Sequence, residues 1–268
     1  MTSMQPRLAE PGDVARVARQ WAAITDVEDS QELQETIASR LGWWLGDTPS
    51  GPGSLAVVEE GATILGVAGW CPKQLLSGGE PILGAEIGTT MTAPQARGRG
   101  VFSSLVRFLV AEAERRGVRA IYGTPNAASG APYVGKLDFK GIWPWVRWIR
   151  PLTGPPGLAF DGLGLLRRGA GGFRAEPFTV APVTDWHELA ACWERESRTD
   201  VLRVARTADY LRWRYPVERY TAWGASSAGG ALLGWVVMGA TVRLGRPTMS
   251  LVDMAVGPAL GAGAGRFL

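Results

Sequence analysis

The spacing of apolar positions divides the chain into helices and strands before any single residue is weighed. After a short extended run, Gln5 to Leu8, apolar residues recur at Val14, Val17, Ala18, Trp21 and Ile24. That is the three-and-four spacing of one helical face, with Asp13 placed to cap it. Asp29 and Glu32 stand in capping-box spacing ahead of Leu33, Ile37, Leu41 and Trp44, which predicts a second amphipathic helix. The period then changes. Ser54 to Glu60 and Thr63 to Gln74 read as strands joined at Gly61, Ser77-Gly78-Gly79-Glu80 is a second turn, and Pro81 opens a third strand running through Glu86 to Thr92.

Pro94 to Gly100 interrupts this meander as a loop, after which Phe102, Leu105, Val106, Leu109 and Ala113 return to a helical face. Arg115, Arg116 and Gly117 close that helix with positive charge and a residue suited to the left-handed C′ position. Val118 to Tyr122 is a short buried strand, and the succession strand, helix, strand predicts a parallel pair with a right-handed crossover. From Pro151 to Gly172 glycine, proline and leucine dominate, which marks a linker placed at residues 151–175. Beyond it come a strand at Phe178 to Val180, helices at Asp185 to Glu196 and Thr207 to Arg214, and strands at Tyr220 to Gly224, Ala231 to Val242 and Thr248 to Val256. Two helices followed by a meander repeat the opening order, so a weak internal duplication is expected. The division is a first domain over residues 1–150 and a second, smaller half over 176–268. That half is degenerate or incomplete, since the sequence stops at Gly261-Ala-Gly-Ala-Gly-Arg-Phe-Leu268, where a further helix and strand are due.

Composition narrows the chemistry mainly by exclusion. Hydrophobic residues make up 46% and charged residues 20%, the balance of a chain with a real core. A net charge of +3 agrees with an anionic cofactor but does not by itself argue for nucleic acid. Two cysteines, Cys71 and Cys192, make neither a disulfide framework nor a metal spacing. The single histidine, His187, sits among Trp186, Glu188 and Leu189 and reads as a surface helix position. Serine and cysteine triads and histidine metal sites are thus disfavoured, and no metal is expected. Cys71, beside Trp70, reads as core, with no histidine to activate it. The N-terminus lacks an apolar signal region, and the longest apolar stretch, Ala231 to Val242, is broken by Gly234 and Gly239, well short of the ~20 residues that cross a bilayer. A cytoplasmic location without a membrane span is expected.

The segment that carries chemistry is Gln95-Ala-Arg97-Gly98-Arg99-Gly100-Val101-Phe102, between a strand and an amphipathic helix. A pyrophosphate needs several donors converging from one side, and a helix N-terminus supplies them with the positive end of its dipole. Gly98 and Gly100 remove Cβ atoms from the approach, while Arg97 and Arg99 add charge. There is no Gly-Lys-Ser/Thr of a nucleotide P-loop, and the third glycine of the dinucleotide fingerprint is missing.

In this setting Gln95-Ala-Arg-Gly-Arg-Gly100 resembles the Gln/Arg-x-x-Gly-x-Gly signature of GCN5-related N-acetyltransferases (GNAT), and the order of elements over about residues 4–150 is similar to that fold. The resemblance implies an α/β (α+β) GNAT fold, a mixed central sheet with flanking helices, followed by the second, smaller GNAT-like half. It implies acetyl-CoA or a similar acyl-CoA as co-substrate and direct attack by an amine in a ternary complex, the acceptor being a small molecule or an amino sugar. Met91 and Thr92 would hydrogen-bond the pantetheine arm through their backbone, where a bulge splays two parallel strands. Gln95, Arg97, Gly98, Arg99 and Gly100, with the N–H groups of Val101 and Phe102, would hold the pyrophosphate. Asn126, past the next strand, matches an asparagine that contacts the cofactor.

Glu86 is the one carboxylate inside the third meander strand and is the candidate base; its competing reading is a solvent-facing side chain. Tyr133 is the candidate acid, by resemblance to a tyrosine shortly before Lys-Leu-Gly-Phe. Here the run is Lys136-Leu-Asp138-Phe139, with Tyr133 one residue further upstream. On a helix of 3.6 residues per turn that displacement rotates the phenol by about 100°, so a packed tyrosine competes with the acid.

Two other readings stay open. Residues 176–268 suit a non-catalytic acyl-CoA- or ligand-binding module. Trp143, Trp145 and Trp148 with Arg147 and Arg150 suit stacking on single-stranded nucleic acid, although a final strand packed on its neighbour explains them better. Tyr210-Leu-Arg-Trp-Arg-Tyr215 resembles a segment of bacterial GNAT-like proteins with two halves; it reads as a domain-packing helix or as an Arg/aromatic surface for an anionic or carbohydrate acceptor. A homodimer is compatible with all of these.

Overall fold

A computed structural model describes residues 5–24, 30–46, 48–142, 178–196, 200–243, 246–257 and 260. The expected linker and the Trp143 to Arg150 strand lie outside the described residues. The chain forms two compact units, Met1–Ile142 with Arg198–Ala205, and Trp143–Ser197 with Arg206–Leu268.

In the first unit β1 (Arg7–Leu8), α1 (Asp13–Ile24) and α2 (Gln31–Leu45) precede a meander of β2 (Ser54–Glu60), β3 (Thr63–Ser77) and β4 (Glu80–Thr92). A 3-10 turn at Pro94–Ala96 leads to α3 (Val101–Arg115), β5 (Ala120–Tyr122) and α4 (Ala127–Lys136). The sheet order is β1-β2-β3-β4-β5, antiparallel except for the parallel pair of β4 and β5, so the sheet is mixed as expected. Strand β7 (Arg203–Val204), much later in sequence, pairs with Leu75 and Leu76 of β3, which is why Arg198–Ala205 groups with this unit.

Both faces of the sheet are covered. Val57, Ile64, Val67 and Met91 meet Val17 of α1 and Leu41 of α2 on one side. Ala68, Trp70, Ala85 and Ile87 meet Leu105, Val106 and Leu109 of α3 on the other. Helices on both faces explain why β3 is buried without a break from Ile64 to Lys73. At the edge, Asp13 is buried under two arginines: Arg7 Nη1 lies 2.6 Å and Arg16 Nη1 2.7 Å from its carboxylate, and both arginines also reach Glu59 at 2.9 Å.

One sequence expectation needs correction and another lies outside the described residues. Helix α2 is capped by Ser30, whose Oγ accepts the Leu33 N–H at 3.1 Å; the capping position read at Asp29 lies outside the described residues. The strand placed at Val118 to Tyr122 is confined to Ala120–Tyr122 and is half-buried. Val118 is spent on the helix exit, its N–H donating to Ala113 after Gly117 turns the chain at φ 77°.

The second unit contains β6 (Phe178–Pro182), α5 (Trp186–Glu196), α6 (Ala208–Arg214), β8 (Tyr220–Ser227), β9 (Leu232–Arg243) and β10 (Arg246–Val256), with sheet order β10-β9-β8-β6. Its resemblance to the first unit extends to single hydrogen bonds. Ala93 N–H donates to Leu65 and Ala96 to Ala93; Gly257 donates to Leu233 and Leu260 to Gly257. Gly66 faces Thr92 just as Gly234 faces Val256. These anchors superpose β3 on β9 and β4 on β10.

A splayed strand edge and a glycine-flanked helix start form the candidate active site

Strand β4 pairs regularly with β3 from Glu80 opposite Ser77 to Gly88 opposite Gly69; the next pair is Met91 opposite Val67. Between these pairs one residue of β3, Ala68, therefore faces two of β4, a bulge at Thr89 and Thr90. Thr89 sits at φ 52°, a conformation that costs a β-branched residue about 1–3 kcal/mol. On its other edge β4 meets β5 only from Gly84 opposite Ala120 to Glu86 opposite Tyr122. From Ile87 to Thr92 that edge has no strand partner among the described residues. The bulge lies within this free length, and after it the alternation of the strand turns the backbone groups of Thr92 to the open edge, while those of Met91 and Ala93 face β3.

Beyond Thr92 the 3-10 turn delivers the chain to Gly98 at φ 77° and Gly100 at φ 82°. Gly100 is the N-cap of α3, its carbonyl accepting the Ser104 N–H at 3.0 Å. The first-turn N–H groups, among them those of Val101 and Phe102, have no intrahelical partner. A Cβ added at Gly98 or Gly100 would meet nothing within 4 Å. The glycines are thus required by backbone conformation, not by crowding, and the space beside them is open. Gln95, Arg97 and Arg99 are exposed around it, Arg99 Nη2 lying 3.2 Å from Glu60 on the rim. Free amides, a positive helix end, arginines and open room suit a diphosphate.

Glu86 is half-buried and faces the α1/α2 side of the sheet, directly opposite Cys71 of β3 and Tyr122 of β5. Its Oε2 lies 3.7 Å from Nζ of Lys73, which is 2% exposed. The solvent-facing alternative for Glu86 is therefore incomplete: one side of the carboxylate meets a buried cation.

Tyr133 does not rotate out to solvent. It is buried in the α3 core, with its ring edge-on to Phe102 at 5.1 Å and to Phe139 at 4.9 Å. Its hydroxyl bonds the side chain of Thr90 in the bulge, and burial pushes the phenol up to about 12, with the Thr90 bond opposing. The packed-tyrosine reading thus describes its surroundings, with the hydroxyl reaching the bulge. Asp138 occupies φ 58°, the conformation that explains a glycine in the related pattern and that aspartate tolerates. Asn126 is exposed, and its Oδ1 caps α4 by accepting the Ala128 and Ser129 N–H groups at 3.0 Å. The structure thus brings Glu86, Met91, Thr92 and, through Thr90, Tyr133 to one stretch of β4, with Gln95 to Phe102 continuing from its end.

Sequence reasoning overlooked Lys73, and the bulge that the resemblance implied at Met91 and Thr92 lies just before them, at Thr89 and Thr90. The signal for Lys73 was present, since a two-residue turn at Gly78 and Gly79 fixes the hairpin register that puts Cys71 opposite Glu86, with Lys73 two residues along the same face. His187 in the second unit is exposed and Cys71 in the first is buried, as expected; Cys192 is buried as well. The Tyr210 to Tyr215 segment packs through Leu211 and Tyr215, while Arg212 is exposed beside Asp209. The Tyr215 hydroxyl donates to Asp253 at 2.9 Å, and Asp253 also accepts two bonds from Arg206 at 3.1 Å. Among the described residues no cluster of His, Cys, Asp and Glu could hold a metal, and no helix is long and apolar enough to cross a membrane.

Residues 5–141 match the family model for the acetyltransferase (GNAT) domain. No curated protein sequence matches the chain. Among solved structures, it resembles an Enterococcus faecalis protein described as a probable N-acyltransferase, with TM-score 0.62 and 14% identity over 95% of this chain and 59% of that one. It also resembles Saccharomyces cerevisiae N-myristoyltransferase with bound myristoyl-CoA, with TM-score 0.55 and 11% identity over 96% of this chain and 63% of that one. The chain thus spans about three fifths of the length of either. At these identities the likeness is one of fold, and it runs through both units.

Proposed function

The chain belongs to the GNAT acetyltransferase family, and from that premise we propose that it is an N-acyltransferase moving an acetyl or similar acyl group from acyl-CoA to a primary amine of a small molecule or amino sugar. The observation that carries this reading is the continuity of β4: bulge, free edge and glycine-flanked helix start follow one another within about a dozen residues. An acyl-CoA supplies an activated thioester. The residues of this chain supply its placement and the proton movements.

The amides at the start of α3, with Gly98, Gly100, Arg97 and Arg99, hold the diphosphate, with Gln95 at the rim. The open edge at Thr92 hydrogen-bonds the pantetheine arm, and Asn126 lies beyond β5 as a further contact. Glu86 takes the proton of the attacking amine, directly or through one water. Tyr133, protonated at neutral pH as any phenol is, donates toward the departing sulfur from its place beside the bulge.

Isothermal titration with acetyl-CoA tests the cofactor site, and one molecule bound to the first unit is expected. Turnover is sought across polyamines, amino sugars and amino acids, reading the acylated product by mass. Glu86→Gln should lower kcat by about 100- to 10,000-fold while leaving acetyl-CoA binding intact. A folded protein that takes up no acyl-CoA sinks the assignment, and unchanged turnover in the Gln variant removes Glu86 as base.

A further inference from the structure

Lys73 is the tenth of ten successive buried residues in β3 and is among the largest fully buried side chains of the chain. A lysine is rarely found so deep unless a partner compensates the lost hydration. Two neighbours stand on the same face of the hairpin. Cys71 Sγ lies 3.3 Å and Glu86 Oε2 3.7 Å from Nζ. The first is a hydrogen bond; the second is an ion pair longer than a hydrogen bond. Glu86 keeps 28% of its side chain exposed, so the pair has a buried cationic end and an open anionic end. The other groups facing Glu86 are Cys71 across the β3 pairing and Tyr122 across the β5 pairing; further along this face Trp44 of α2 lies over Gly69 and Gly88.

We infer that Lys73 is a positioning residue for Glu86: its buried head group holds the carboxylate in place, aimed at the free edge of β4. This rests on the reading of Glu86 as base. Lys73 itself touches no reacting atom; Glu86 alone takes up the proton lost by the amine.

The second unit supplies an internal comparison. With Gly66 superposed on Gly234, Cys71 and Glu86 correspond to Gly239 and Ser250, which face each other, and Lys73 corresponds to Thr241. The same hairpin forms there with neither the lysine nor the glutamate. The backbone therefore does not need Lys73, and the cation and the carboxylate are present together or absent together. The ion pair is thus a property of this unit's side chains and not a requirement of the hairpin.

The test is a double-substitution cycle on the full chain with acetyl-CoA and a polyamine, amino sugar or amino acid that the protein acylates. Lys73→Met should lower kcat by about 10- to 100-fold, with the acetyl-CoA dissociation constant changed less than about twofold. In a Glu86→Gln background the same substitution should cost nothing further, because its effect passes through that carboxylate. Lys73→Arg, which keeps the charge, should retain kcat within about fivefold; it also serves if the Met variant does not fold, folding being judged by acetyl-CoA binding. Unchanged kcat in Lys73→Met overturns the inference. So does an equal loss in both backgrounds, or a Lys73→Arg variant that binds acetyl-CoA but has lost activity as fully as Glu86→Gln. Should Glu86→Gln itself leave turnover intact, the base assignment fails first, and the two failures are told apart by that single variant.

Discussion

Replacing Gly100 by alanine separates what the loop does for the fold from what it does for a ligand. Gly100 holds φ 82° as the N-cap of α3, and an added Cβ there meets nothing within 4 Å. The cost in the free protein is thus conformational. A left-handed conformation costs an L-residue about 1–2 kcal/mol, and the reduced freedom of the unfolded chain returns about 0.4–1 kcal/mol. The net loss should be near 1 kcal/mol, or about 2–4 °C in melting temperature for a domain of this size. Binding should suffer more. Relief of the strained φ turns the first-turn amides away from one focus, and each charge-assisted bond to a phosphate is worth about 1.5–3 kcal/mol. Losing one should raise the acetyl-CoA dissociation constant about 10- to 100-fold. Gly78→Ala is the matched control, since Gly78 has φ 59° and equally open surroundings but lies in the β3–β4 turn. Both variants should melt earlier, and only Gly100→Ala should bind acetyl-CoA weakly by calorimetry. Equal binding by the two would refute the argument that these amides grip the diphosphate.

Two further substitutions test the electrostatics of the first unit. Tyr133 is raised to about 12 by burial, so the folded state keeps a proton that the unfolded chain releases near pH 10; stability is full below pH 10 and falls as pH rises toward 12, by about 2–3 kcal/mol. Denaturant unfolding at pH 9 and 11.5 should show Tyr133→Phe losing less than the parent by that amount. Asp13 is held well below the usual carboxylate range, foremost by its bond from Arg7, so its contribution is present above the ordinary carboxylate range and is lost as pH falls through and below it. Because Arg7 and Arg16 are 38% and 31% exposed, Asp13→Asn should cost only about 1–3 kcal/mol at pH 7, and thermal melts should show a smaller drop than the parent between pH 6 and 3.

The contrast between what sequence showed and what it hid follows from the range of the interactions involved. Helix α3 was legible because Val101, Leu105, Val106, Leu109 and Ala113 declare their face within fifteen residues, and Gly117 its end. The loop from Gln95 to Gly100 was legible for the same reason, its donors being local. The bulge was legible only through the family resemblance and not from the residues themselves, because an extra residue in β4 exists only relative to β3, and no local pattern makes Thr89 adopt φ 52°. Tyr133 was hidden in between: a sequence offset counts residues along α4, but where the phenol ends depends on how the helix packs on α3 and the bulge, and it meets Phe102, Phe139 and Thr90.

The duplicated hairpin carries that reasoning one step further. Backbone hydrogen bonds such as Ala93 to Leu65 and Gly257 to Leu233 recur although the side chains around them differ, because the meander and its 3-10 exit satisfy main-chain groups whatever the residue. The bulge recurs as well: Leu251 faces Met238 and Asp253 faces Val237, leaving Val252 as the extra residue of β10. There the neighbouring Asp253 is consumed by Arg206 and Tyr215, a satisfied buried network with no carboxylate left over to take a proton. In the first unit the bulge is lined instead by Thr90 and Tyr133, and three residues before it stands Glu86 with one side open. The same strand geometry thus carries a closed ion network in one unit and, on the proposed reading, a proton acceptor in the other, and side chains on a handful of β3 and β4 positions make the difference.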